Sequence, residues 1–166
     1  MSEEQDYKVV DGRGAMTVFE IYIKAAPERV WEAITDPEQR SRYSFGTGIE
    51  SDWTEGSEYK ASAGGGAFEV SRGVNEVVDP PRRLVQTFTA LWSEGVRSEG
   101  ETRVTWDLVP VGSSTQLRVT HEGLSENANS ELWGGWPMIL SGLKTLVETG
   151  EDLDTPGSLR YSGASS

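Results

Sequence analysis

Leu132-Trp-Gly-Gly-Trp-Pro-Met-Ile-Leu-Ser-Gly-Leu-Lys-Thr-Leu-Val-Glu-Thr-Gly150 is the stretch on which the fold turns. Leu132, Trp136, Ile139, Leu140, Leu143, Leu146 and Val147 recur at steps of 4, 3, 1, 3, 3 and 1, which lays one apolar stripe along a helix. Gly150 is placed to end that helix, because helices commonly close on a glycine. Pro137, just after Gly134-Gly135-Trp136, predicts either a kink or a fresh helix start with proline in its first turn. A helix with one apolar stripe needs a partner surface, and the rest of the chain must supply it.

Working back from the helix, residues 58–63, 68–78, 83–92, 101–109 and 115–122 show period-two alternation or β-rich composition. The breaks between them are short: Gly64-Gly65-Gly66, Asp79-Pro80-Pro81 and Val111-Gly112-Ser113-Ser114. Strands joined so tightly pair antiparallel, and a sheet of this many strands must curl. At the start, Phe19, Ile21 and Ile23 alternate with Glu20, Tyr22 and Lys24, a half-buried strand. Ala26-Pro27-Glu28-Arg29 then opens a helix with proline and an acid in its first turn, and Val30, Trp31 and Ile34 share a face. Asp36-Pro37-Glu38-Gln39 supplies a cap for a second short helix.

The expected architecture is α+β: a curved antiparallel sheet wrapped around a long C-terminal helix, with two short helices after the first strand. Sheet and helix each have an apolar face that only the other can cover, and the space left between them is the natural ligand cavity. Residues 14–150 form the domain, residues 1–13 an acidic N-terminal tail, and residues 151–166 a Ser/Gly-rich flexible tail.

Composition narrows the function. With 15 Lys plus Arg against 27 Asp plus Glu, the formal charge is -12, a field that repels nucleic acid and anionic membranes. The chain has no cysteine, hence no disulfide framework, and one histidine is too few for a typical zinc site. No apolar run approaches the ~20 residues a membrane span requires, and the N-terminus lacks a signal-like pattern. These features predict a cytoplasmic protein with no metal. The Gly64-Gly65-Gly66-Ala67 run lies in a hairpin and opens no helix, so it is a turn and not a phosphate cradle. No serine stands in a Gly-x-Ser-x-Gly elbow.

Four stretches carry a family likeness: Phe19-Glu-Ile-Tyr-Ile-Lys-Ala-Ala-Pro-Glu-Arg-Val-Trp-Glu-Ala-Ile-Thr-Asp-Pro-Glu38, Asp79-Pro-Pro-Arg-Arg-Leu84, Val119-Thr-His-Glu-Gly123 and Gly135-Trp-Pro-Met-Ile-Leu-Ser-Gly-Leu-Lys-Thr-Leu-Val-Glu148. In this order they resemble the activator of the 90-kDa heat-shock protein ATPase homologue-1-like family. That family belongs to the START-like (SRPBCC) superfamily of helix-grip domains, with polyketide cyclases and pollen-allergen-like carriers. The resemblance spans about residues 15–150. It implies a helix-grip fold, a deep apolar cavity, no obligatory cofactor and no shared catalytic set. It also brings a chaperone, and a stress-response role, into view as an alternative.

The single histidine lies in Arg118-Val-Thr-His-Glu-Gly-Leu124. If Leu117 and Val119 face the helix, alternation turns His121 the same way and sends Glu122 to water, so the adjacent carboxylate is not its partner. His121 is then either a polar spot on a pocket wall or core, or a base in a cyclase-like enzyme with Tyr59 or Glu76. Glu76 or Arg72 would converge on it only if their strand keeps its alternation. The same alternation brings Tyr59, Phe68, Phe88, Trp92 and Trp106 inward, opposite Trp133, Trp136 and Leu140 at the start of the last helix. Together these residues are the candidate lining for a small apolar, aromatic or lipid-like ligand. Trp53, in a polar loop, is expected to cover an opening or meet a partner.

Overall fold

The computed structural model describes residues 15–125 and 127–156. The N-terminal tail expected at residues 1–13, and the part of the C-terminal tail from 157 onward, lie outside the described residues. The described residues open with strand β1 (Ala15–Ile23) and helices α1 (Pro27–Thr35) and α2 (Pro37–Tyr43). Strands β2 (Gly48–Ser51), β3 (Glu58–Ala63), β4 (Phe68–Asp79) and β5 (Arg83–Ala90) follow. A four-residue helix α3 (Glu94–Arg97), strands β6 (Glu101–Val111) and β7 (Ser114–Leu124), and helix α4 (Trp136–Thr149) come next. The seven strands among the described residues form one antiparallel sheet in the order β1-β7-β6-β5-β4-β3-β2. The sheet is curved around α4, the α+β helix-grip arrangement expected from the sequence.

Asp36 does two jobs in the α1–α2 corner. Its backbone N–H closes α1 on the Glu32 carbonyl, and its carboxylate accepts the Gln39 N–H at 2.9 Å to open α2. Gln39 does not complete a reciprocal cap, because its side-chain oxygen accepts from Arg29 instead.

Period two decides what faces α4. Phe19, Val119, Trp106 and Leu84 lie in one row across four strands, and Thr17, His121, Val104 and Gln86 in the next. The opposite face carries its own row, Glu20, Arg118, Asp107 and Arg83, whose charges alternate and pair at 2.8 Å and 3.3 Å. The main core joins the inward rows to α1, α2 and α4 through Ile23, Val30, Ile34, Tyr43, Leu143 and Leu146. A smaller cluster of Ala90, Val96, Leu124 and Leu132 sits beside it, with Phe88 and Trp133 packed against both.

Several expectations need correction. The apolar stripe of the last helix begins at Trp136, with Pro137 in the first turn, so the proline marks a fresh start. Leu132 belongs to a preceding 3₁₀ turn and the smaller cluster. Phe68 does not face the core: it is 68% exposed at the β3–β4 hairpin, where its ring lies against Gly64 of its own turn. A register shift between Ala61 and Ser62 places an extra residue between Glu69 and Ser71, so strict alternation fails along β4. The strand expected to reach Trp92 ends at Ala90, leaving that tryptophan 37% exposed in the loop before α3. Trp53 packs against the main core and is not an exposed lid. Asp152, within the expected C-terminal tail, pairs with Arg42 at 2.7 Å. Among the described residues no helix is long and apolar enough to cross a membrane.

Candidate functional site

His121 stands at the centre of the inward face, fully buried. The Thr102 hydroxyl lies 3.1 Å from the Phe88 carbonyl and 2.8 Å from His121 Nε2. A hydroxyl has one proton to give, and the carbonyl can only accept, so Nε2 carries the proton that Thr102 accepts. The Nδ1 lone pair then accepts the Trp136 indole N–H at 3.2 Å. Burial holds the imidazole neutral, pushing its pKa down to about 4. With both nitrogens committed to structural bonds, this arrangement offers no free base. Glu76 is not its partner: it pairs with Arg103 at 2.8 Å on the exposed face, while Arg72 meets Glu69.

The predicted aromatic residues divide by place. Trp136 contacts Trp106 edge-on at a centroid distance of 5.3 Å, and the His121 ring at 6.3 Å. Phe88 meets His121 at 5.4 Å and Trp92 at 6.4 Å, so rings run from the exposed Trp92 to the buried histidine. Trp133 is half-buried at the seam between the two clusters. These residues touch one another ring against ring.

A second polar chain leaves Trp106. Its indole N–H donates to Gln86 Oε1 at 3.4 Å, Gln86 donates to Asn75, and Asn75 donates to the Ser51 and Ser57 hydroxyls. The Arg40 guanidinium lies 5.2 Å from the centroid of a Trp106 ring and donates to the Ile34 carbonyl. Tyr59 is buried apart from the groove described below, its hydroxyl donating to the Thr87 carbonyl at 2.7 Å. Burial raises its pKa well above the phenol range. Its ring crosses β4 over Gly73, where a Cβ would lie 2.8 Å from Tyr59 Cε2 and 2.0 Å from the Thr87 oxygen; only glycine permits that approach.

Open space lies beside this packed centre, in a groove of about 220 Å³ between β1 and α4. Phe19, Ile21, Pro137 and Leu140 supply its apolar lining, and Glu20, Ser141 and Lys144 complete it. Lys144 Nζ is held by the Tyr22 carbonyl and Glu148, each at 2.7 Å. Of the residues predicted as lining, Leu140 alone lines this groove. Pro137, Ser141 and Lys144 were missed because they flank the apolar stripe, although their spacing of 4 and 3 places them on one helix flank. Phe19 and Ile21 were legible as inward positions but not as groove walls. Thr17, one inward position earlier, has a buried hydroxyl without a hydrogen-bond partner. Among the described residues no group of three or more His, Asp or Glu side chains is arranged to hold a metal ion.

Residues 24–148 match the family described as activator of Hsp90 ATPase homolog 1-like protein. Among solved structures, CalU16 from Micromonospora echinospora is similar at 24% identity and a TM-score of 0.65, over 83% of this chain and 80% of its own. The Aha1 dimer from Colwellia psychrerythraea gives 21% and 0.66, over 82% and 98% of the respective chains. An Hsp90 activator from Plasmodium falciparum gives 20% and 0.64, over 81% and 96%. At these identities the structural likeness is one of fold. No curated protein matches significantly.

Proposed function

The chain belongs to the activator of Hsp90 ATPase homologue 1-like family, and from that premise we propose that it is a small-molecule-binding domain taking an apolar ligand between β1 and α4. The observation that supports this reading is the groove of about 220 Å³ with its wall of Phe19, Ile21, Pro137 and Leu140. An apolar cavity of about 150 Å³ accommodates benzene, whereas drug-sized ligands occupy roughly 300 Å³ or more. The volume therefore suits one ring or a small bicycle and is too small for a long lipid. His121, with both nitrogens engaged, acts in this reading as a strut that seats Trp136 at the start of the helix that supplies the groove's second wall.

A two-dimensional amide and indole NMR titration with p-xylene, p-cresol, indole and decanoate tests the proposal. Saturable shifts at Ile21, Leu140 and the Trp136 indole, with the single-ring compounds outbinding decanoate, are the expected result. Silence across the panel would overturn it. The family's description favours a second reading, a chaperone of the Hsp90 class as partner. The same spectra carry its test: shifts on adding such a chaperone, with the groove residues silent to every small molecule, would make a protein surface the site.

A further inference from the structure

The β1 edge of the sheet is only half covered. Lys144 meets the Tyr22 carbonyl and Glu148 the Lys24 N–H, so α4 closes this end of the edge. Backbone groups alternate along an antiparallel strand, which puts the N–H and C=O of Val18 and Glu20 on the same outer side as those of Tyr22. Among the described residues nothing meets them. An edge left in this state is a template for another strand. The groove lies against that stretch, lined by Phe19 and Ile21 from the strand and by Pro137, Leu140 and Ser141 from the helix. On the outer face the charge row Arg83, Asp107, Arg118, Glu20 ends on an acid at the edge, where a further strand would best set a base.

The described residues end beside this groove. After α4 the Thr155 hydroxyl meets the Met138 sulfur at 3.5 Å, which returns the chain from the helix's end to its first turn, next to Pro137. Residues 157–166, outside the described residues, therefore start about one helix width, roughly 10 Å, from the groove, and three or four extended residues span that distance. Their sequence fits the edge. In Ser158-Leu-Arg-Tyr-Ser162, strand alternation sends Leu159 and Tyr161 to one face and Arg160 to the other. We infer that this segment docks on β1 as an eighth strand, with the Tyr161 ring in the groove and Arg160 beside Glu20, so that the tail competes with a ligand for the same space. A groove of about 220 Å³ holds one ring, which the tyrosine supplies. Arg160 adds the base that continues the outer row. A short tether holds the segment at an effective concentration of a few millimolar, so an intrinsic dissociation constant of about 1 mM keeps roughly three-quarters of the molecules closed. The competition rests on the reading of the groove as a ligand site; the docking does not.

The test is NMR on the full chain, with Tyr161→Ala, Arg160→Glu and Arg160→Lys as variants and p-cresol as the probe. Cross-relaxation between the Tyr161 ring and the Ile21 and Leu140 methyls is expected in the wild type. The amides of Glu20, Ile21 and Ser141 should move alike in Tyr161→Ala and Arg160→Glu, and stay in place in Arg160→Lys. With the groove open in every molecule instead of about one in four, p-cresol should bind Tyr161→Ala about fourfold more tightly than wild type. Groove amides that are unchanged in both undocking variants would overturn the inference. Equal p-cresol affinity in wild type and Tyr161→Ala would overturn it too, while leaving the groove reading intact. Ring-to-groove contacts that fade on dilution would replace it with docking of a second copy's tail. Concentration-independent contacts, with p-cresol failing to bind even Tyr161→Ala, would uphold the docking and overturn the small-molecule reading.

Discussion

His121 has no use for a second proton. Protonating Nδ1 would set an N–H against the Trp136 indole N–H, two donors facing each other across the contact that seats the first turn of α4. Desolvation is the cause that lowers its pKa, from 6.5 to about 4. As pH falls below 6.5, the unfolded chain takes up a proton that the folded chain refuses until about pH 4. The stability tied to the neutral ring is therefore complete above pH 6.5 and is lost as pH falls through this window, with a slope approaching about 1.4 kcal/mol per pH unit. The chain has a single histidine, so the interval from roughly pH 5, above the ordinary carboxylate range, to 6.5 reports on that group. Urea unfolding across that interval should show the slope in wild type and lose it in His121→Gln, which keeps an acceptor for Trp136 but does not titrate. An equal slope in both would mean the histidine is solvated. The inward direction of His121 was legible from alternation with Leu117 and Val119. Its partners were not, since Thr102 and Trp136 come from another strand and from the helix, and no local pattern encodes that meeting.

Helix α4 was legible almost whole, because its stripe follows from one-dimensional spacing, whereas β2 and α3 were not. Gly48-Ile-Glu-Ser51 offers a single strongly apolar side chain to betray a strand, and α3 is one turn opened by the Ser93 hydroxyl accepting the Val96 N–H. Elements so short exist because their neighbours hold them, and sequence patterning records a face only when several residues share it. Gly142 makes the same point inside the legible helix. In an isolated helix, Gly→Ala gains about 1 kcal/mol. In this helix an added Cβ would stand 2.8 Å from Tyr43 Cβ and 3.4 Å from its Cα, and Tyr43 is anchored by its hydroxyl on the Ala33 carbonyl. Propensity should lose, because α2 and α4 must part: Gly142→Ala should lower stability by roughly 1–3 kcal/mol, the usual cost of overpacking. Denaturant unfolding with an unchanged m-value reads this directly, and a stabilised variant would show that the α2–α4 seam is loose.

At the scale of the molecule, the sheet closes by a pairing that chain order does not announce. The curved sheet, the grip on the last helix and the two early helices follow from local signals, but β1 finds its partner in β7, most of a domain away. That pairing builds one wall of the groove, and α4 reinforces it. Lys144 takes the outward Tyr22 carbonyl, and Glu148 takes the Lys24 N–H at 2.7 Å, so side chains of the helix occupy backbone groups at the sheet's free edge. Phe19, Ile21 and Ile23 also pack against the main core. Ile23 is fully buried and Phe19 and Ile21 partly so; at roughly 2 kcal/mol for the first and about half that for each of the others, the three together approach the lower end of a whole domain's stability. A chain lacking residues 1–24 should therefore lose cooperative unfolding and near-ultraviolet circular dichroism from its tryptophans, although six strands and every helix remain encoded in it. A synthetic peptide of residues 15–25, added at high concentration, should restore both signals, because the missing strand is an edge and can dock without threading. A truncated chain that melts cooperatively at the wild-type temperature would show that β1 is an accessory to the sheet. The groove would then line an ornament of the fold and lose its claim to be the functional site.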